Sequence, residues 1–161
     1  MIEISENVKI DNFSFTKPFY YKEFFMLNQE VDLNKALHYL DFSEKFSNVN
    51  NCRIEITGLD RFDEIKAIQD KIITFFKCPN QKINTNLYIS LNKYGVTNTH
   101  VDVESVFLLC TYGKVVYNVY NSVENFDSIL MRKGDLLYIP RNIYHSAIPL
   151  SPRAVVSIGI F

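Results

Sequence analysis

His100, Asp102 and His145 are the residues of this chain whose types and spacing could do chemistry together. Two imidazoles and one carboxylate form the ligand set of a non-haem Fe(II) centre, which leaves coordination positions open for O2 and a co-substrate. The chain has three histidines, and two of them fall in this pattern. Side chains at i and i+2 of a strand point the same way. His100 and Asp102 are therefore expected on one face of a strand, with His145 closing the set from another. Without a metal, the same residues would read as buried histidines beside a capping aspartate. Glu104, the next residue of that parity, is either a fourth ligand or a carboxylate on the rim. His38, the third histidine, belongs to a helical pattern away from the set.

The approach to His145 runs from Gly134 and Asp135 through the apolar Leu136, Leu137, Tyr138 and Ile139 to Pro140, Arg141, Asn142, Ile143 and Tyr144. This reads as a turn, a short strand, a stiff loop and a histidine entering the next strand. Gly134 supplies the backbone freedom of the turn. Pro140 fixes the loop, and Asn142 is among the few non-glycine residues that tolerate a left-handed conformation. Tyr138 and Tyr144 flank the loop as packing residues.

The stretch Gly134–His145 resembles the second cupin motif, Gly-x5-Pro-x-Gly-x2-His, with Asn142 where the motif has its second glycine. The stretch from Thr97 to Leu109, followed by Gly113 and Lys114, resembles the metal-bearing hairpin of JmjC-type cupins, above all the bacterial ribosomal-oxygenase-like enzymes. Ser157 to Phe161 matches their final core strand, and Lys17-Pro18-Phe19 is a weaker echo near the start. The likeness covers residues 84–161. It implies Fe(II) and 2-oxoglutarate as cofactors, with His100, Asp102 and His145 as metal ligands. The implied reaction hydroxylates a substrate with O2 and releases succinate and CO2. A protein side chain, such as a ribosomal one, is the implied substrate. The dimerisation and winged-helix regions of those enzymes do not fit in 161 residues, so a small-molecule substrate stays open. Two other readings also stay open: a metal cupin that does not use 2-oxoglutarate, and a non-catalytic cupin binding module.

A bound 2-oxoglutarate needs a partner for its distal carboxylate, because a buried unpaired charge is too costly. The resembling enzymes carry Lys or Arg two residues after the glycine that matches Gly113. This chain has Val115 there, and Lys114 falls one position early. Strand alternation aims Lys114 outward. The anchor is then Lys114 through a bulge, Tyr117 on the Val115 face, or Arg153 from the strand after His145. Arg153 ranks first because other 2-oxoglutarate oxygenases place a base on that late strand. It would otherwise be a solvated rim residue after Pro152. Thr97 matches a hydroxyl that assists this carboxylate in some relatives. Asn92 and Tyr88 are candidate pocket liners.

The elements that must position these residues read as α+β and mainly β. The expected architecture is a cupin-like double-stranded β-helix, a jelly-roll barrel with two bracing N-terminal helices. Strands are expected at 2–10, 17–26 and 52–57. Helices are expected from Asp32 to Leu40 and from Asp60 to Phe76, where apolar residues recur at helical spacing. From residue 86 the texture changes to strands at 86–92, 100–111, 114–121, 128–131, 135–139, 144–149 and 153–160, a pattern of barrels and sandwiches. One domain over 1–161 is expected, with 1–83 as N-terminal strands and helices and 84–161 as the metal-bearing core. A composition 47% hydrophobic and 14% aromatic fits a folded globule. The net charge of -1 and scattered basic residues give no case for nucleic acid. No apolar run reaches the roughly 20 residues of a membrane helix, and no signal segment opens the sequence. Cys52, Cys78 and Cys110 have no disulfide spacing, which fits a reducing cytoplasm. The oligomeric state is not readable from the sequence.

Overall fold

The structure, a computed structural model, describes residues 2–8, 14–27, 34–35, 38–39, 46–50, 52–78, 82–122 and 124–161. The elements are β1 (Ile2–Ile4), β2 (Phe19–Tyr21), β3 (Phe25–Leu27), β4 (Phe46–Asn50), β5 (Arg53–Thr57) and helix α1 (Asp63–Phe75). They continue with β6 (Ile83–Ser90), β7 (Thr97–His100), β8 (Ser105–Tyr112), β9 (Lys114–Tyr120), β10 (Phe126–Arg132), β11 (Leu136–Ile139), β12 (His145–Pro149) and β13 (Arg153–Ile160). A seven-stranded sheet has the order β2-β11-β8-β13-β6-β5-β4, and a four-stranded sheet has the order β10-β9-β12-β7. From β6 to β13 the chain passes repeatedly between the two sheets, and every strand pair is antiparallel. That winding is the double-stranded β-helix expected from the sequence.

Strands β8, β11 and β13 are mostly apolar and buried along nearly their whole length because both faces of the large sheet are covered. On β8, Phe107 and Leu109 face one cluster while Val106, Leu108 and Cys110 face another. The first cluster lies under α1, whose Ile65, Ile68 and Ile72 are fully buried. Each such side chain contributes roughly 1.5–3 kcal/mol of hydrophobic stabilisation. Asp63 and Glu64 in the first turn of α1 complement its dipole. The second cluster fills the space between the sheets, with Val115, Tyr117 and Val119 from β9.

Helix α1 is the second of the two expected helices and braces the outer face of the large sheet. For the first, Asn34, Lys35, His38 and Tyr39 are helical, and the rest of the 32–40 stretch lies outside the described residues. The continuous strand expected at 100–111 is two strands with a break at residues 101–104. The reason is topological: β7 belongs to the small sheet and β8 to the large one, so the chain must cross between sheets at this point. Among the described residues, no helix is long and apolar enough to cross a membrane.

Candidate functional site

His100 ends β7 and His145 begins β12, and the two are direct cross-strand partners in the small sheet. Their rings lie 4.3 Å apart, centroid to centroid. Asp102 comes from the crossover loop rather than from a strand rung. Its Oδ1 lies 3.5 Å from His100 Nε2, and its Oδ2 lies 3.4 Å from His145 Nε2. The backbone N–H of Asn142 donates to the Asp102 carbonyl at 3.0 Å, replacing the sheet partner that the loop lacks. The two halves of the motif thus hold each other.

Asn142 does this from φ 63, inside the left-handed region. The Asn142→Gly variant should keep the thermal midpoint of the wild type or raise it slightly. Asn142→Val should lose about 1–2 kcal/mol, because a β-branched residue resists this conformation. Thermal melts of both variants measure the difference; a valine variant as stable as wild type removes the turn argument.

Each imidazole nitrogen Nδ1 sits against a backbone carbonyl: His100 on Asn98 at 2.8 Å and His145 on Ile143 at 3.0 Å. A carbonyl only accepts, so each Nδ1 carries a proton. Each Nε2 then either holds a second proton or lends its lone pair to a cation. The ligand atoms of the three residues lie within 4.8 Å of one another. A divalent cation at this point would be met by two imidazole nitrogens and a carboxylate oxygen at once. Burial pushes the Asp102 carboxyl up, but the hydrogen bond and charge of His145 and the charge of His100 outweigh it and hold the group below the ordinary carboxylate range. The donor set therefore fits a divalent metal. Glu104 stands outside this set, half-buried on the wall of the adjoining cavity.

That cavity, of about 610 Å³, opens between the two sheets and is lined by all three residues. Arg153 also lines it and is 1% exposed. Its Nε donates to Ser90 Oγ at 3.0 Å and its Nη1 to the Tyr117 hydroxyl at 3.3 Å. No carboxylate among the described residues pairs with it. Burial pushes the Tyr117 phenol up, against the pull of Arg153, so it stays neutral and can accept.

The remaining residues singled out by sequence divide in two. Thr97 lines the cavity, where its hydroxyl accepts a 2.8 Å hydrogen bond from Arg53 Nη1. Tyr88 lines it as well. Lys114 and Asn92 are placed elsewhere. Lys114 is exposed at the regular end of β9, in register with Arg132, and no bulge turns it inward. Asn92 follows the end of β6 and accepts the Tyr94 N–H in a turn, away from the cavity wall. Sequence reasoning missed Ser90, Arg53 and Asn86. Parity along β6 could have found two of them, since 84, 86, 88 and 90 share one face with Tyr88.

The model of the JmjC domain family matches residues 59–161, from the turn before α1 to the last residue. The chain belongs to the JmjC domain family. The matched stretch holds the metal set, Arg153 and Tyr117. Among solved structures, this JmjC domain is similar to YcfD, a ribosomal oxygenase from Escherichia coli, in complex with cobalt and 2-oxoglutarate. The TM-score is 0.71 at 18% identity, covering 90% of this chain and 48% of that one. A second YcfD structure, with cobalt and succinic acid, gives the same values. A variant of oxalate decarboxylase from Bacillus subtilis matches at TM-score 0.52 and 12% identity, over 70% of this chain and 26% of that one. The chain spans about half the length of the ribosomal oxygenases it matches. At these identities the likeness shows a shared fold. A search of curated proteins by sequence finds no significant match.

Proposed function

We propose that this JmjC domain is an Fe(II)- and 2-oxoglutarate-dependent oxygenase that hydroxylates a protein side chain or a small molecule. The observation that carries the reading is Arg153. A buried cation without a counter-ion costs several kcal/mol, and this one faces the same cavity as the His100–Asp102–His145 set. Its Nε and Nη1 are occupied by neutral hydroxyls. The charge itself therefore awaits an anion, and a guanidinium takes a carboxylate in a bidentate pair. The distal carboxylate of 2-oxoglutarate answers that need. In this reading Arg153 would supply the charge that Val115, fully buried in the apolar cluster between the sheets, does not. The ribosomal oxygenase YcfD has been solved with cobalt and 2-oxoglutarate on the same fold, which favours a protein side chain as substrate and a cytoplasmic setting.

In this reading His100, Asp102 and His145 hold the iron. Bound iron would activate O2, with one oxygen atom oxidising 2-oxoglutarate to succinate and CO2 and the other ending in the hydroxyl of the substrate. The carbonyls of Asn98 and Ile143 fix the ring orientation and keep both Nε2 atoms aimed at the metal position. Arg153, steadied by Ser90 and Tyr117, orients the co-substrate. The apolar walls Leu108 and Ala147 help exclude water from the reacting atoms.

Anaerobic addition of Fe(II) and 2-oxoglutarate should produce the weak visible charge-transfer band of a metal-bound 2-oxo acid. Metal uptake without the band would replace this proposal with a metal cupin of other chemistry. Uptake of neither would leave a binding module.

A further inference from the structure

We infer that Arg53 is a second arm of the anchor, so that one carboxylate is gripped from two sides by guanidiniums of different strands. The inference rests on the co-substrate reading above. On the large sheet, Arg53 of β5, Ser90 of β6 and Arg153 of β13 stand in one register row. Residues directly opposite in an antiparallel pair share a face, and both arginines line the cavity, one on each side of Ser90. On the small sheet, Thr97 of β7, Ala147 of β12 and Tyr117 of β9 form a second row, also on the cavity wall. The rows are joined at both ends. Arg53 Nη1 donates to Thr97 Oγ1 at 2.8 Å, and Arg153 Nη1 donates to the Tyr117 hydroxyl at 3.3 Å. Each arginine thus runs from the large sheet to the small one. Between them stand Ser90 and Ala147, both small, so the rows enclose a slot with a guanidinium on either side.

The slot calls for an anion. Neither arginine pairs with a carboxylate among the described residues, and Glu55, two residues along β5 on the same face, makes no ion pair with Arg53. Each guanidinium has neutral company instead: hydroxyls, and a tyrosine ring 6.0 Å away, Tyr88 for Arg53 and Tyr117 for Arg153. The Nη2 atoms of both make no hydrogen bond with a described residue and are not sealed from solvent, so they open onto the cavity. A carboxylate has two acceptor oxygens, one for each arm. The position suits a diacid, because Ala147 lies two residues along β12 from His145, about 7 Å. That is comparable to the length of a five-carbon diacid with its other end at the metal set. Glu104 does not compete, since it rests against Gly159, six residues from Arg153 and about 20 Å along β13.

The test uses glutarate, the five-carbon diacid without the 2-oxo group, titrated into the protein without metal. NMR of the arginine side-chain Nε–H signals, assigned from the spectra of Arg53→Gln and Arg153→Met, follows both arms. Glutarate should move the Arg53 and Arg153 signals together, with one Kd. Arg53→Gln keeps a donor for Thr97 but loses the charge, and should bind glutarate about tenfold to a hundredfold more weakly, the value of a hydrogen bond to a charged group. Arg53→Lys should recover part of that loss. The melting temperature of Arg53→Gln should stay level, whereas a mere brace between the sheets would lose stability and leave affinity alone. Glutarate that moves the Arg153 signal alone, or moves neither, overturns the inference, and so does an Arg53→Gln variant that binds as wild type does. If Arg53→Gln does not fold, the wild-type signals and Arg53→Lys decide in the same way. Both signals moving, with no charge-transfer band from Fe(II) and 2-oxoglutarate, would keep the two-armed seat and remove the oxygenase reading.

Discussion

Arg153→Met should weaken 2-oxoglutarate binding by about thirtyfold to a few thousandfold, and should raise the melting temperature of the ligand-free protein. The two effects have opposite signs for one reason. In the free protein the guanidinium is buried without a carboxylate, so its desolvation is not repaid. Replacing such a group by an apolar side chain of similar length is neutral or stabilising. In the complex the same guanidinium would hold the distal carboxylate. Losing one member of a buried, hydrogen-bonded charge pair costs about 2–5 kcal/mol, which is the stated loss of affinity. Calorimetric titration of 2-oxoglutarate into Mn(II)-loaded protein reads the first effect, and a thermal melt without ligand reads the second. Lys114→Ala is the control, because Lys114 is exposed at the end of β9, and it should bind 2-oxoglutarate as wild type does. An Arg153→Met variant that binds normally would remove Arg153 as the anchor. A variant that merely melts lower would make it a structural arginine.

The placement of Arg153 also shows where sequence reasoning reaches its limit. From Ser151 and Pro152 the residue reads equally well as a solvated rim group. What buries it is its position opposite Ser90 in register, with Tyr117 of the other sheet closing over it. Neither contact is local in sequence. Lys114, by contrast, was legible, since strand alternation already aimed it outward and β9 follows that alternation without a bulge. The glycine spacing before His145 carried the second half of the metal set, and the positive φ of Asn142 followed from the motif. The crossover at residues 101–104 did not follow, because Val101 and Val103 continue the strand-like alternation. Both are exposed, and only the change of sheet ends the strand. Likewise β6 begins at Ile83 rather than residue 86, because the polar Asn84 and Asn86 interrupt the apolar texture of a strand there. Their polarity suits a cavity wall, and the intervening Ile83, Leu87 and Ile89 pack under α1. Polar residues on an inward face hide a strand from any rule that equates inward with apolar.

Asp102→Ala should abolish most divalent metal affinity, a loss of at least about a hundredfold, while leaving the fold in place. Asp102 supplies the only carboxylate within the cluster of ligand atoms. Without it, a divalent ion would face two neutral imidazoles and lose both a ligand and its charge compensation. Perturbing only the groups that orient metal ligands already costs about 10–100-fold, which sets the lower bound for removing a ligand itself. The fold should survive because the backbone carbonyl of Asp102, not its side chain, receives the Asn142 N–H that ties the crossover loop to the His145 loop. The carboxylate is also held below its ordinary protonation range by the two histidines. Calorimetric titration with Mn(II) gives the affinity and circular dichroism the fold. Metal affinity unchanged in a folded Asp102→Ala protein would dissolve the His100–Asp102–His145 centre, and with it the oxygenase reading. A parallel loss of metal in Glu104→Ala would instead enlarge the ligand set beyond the three residues that converge here.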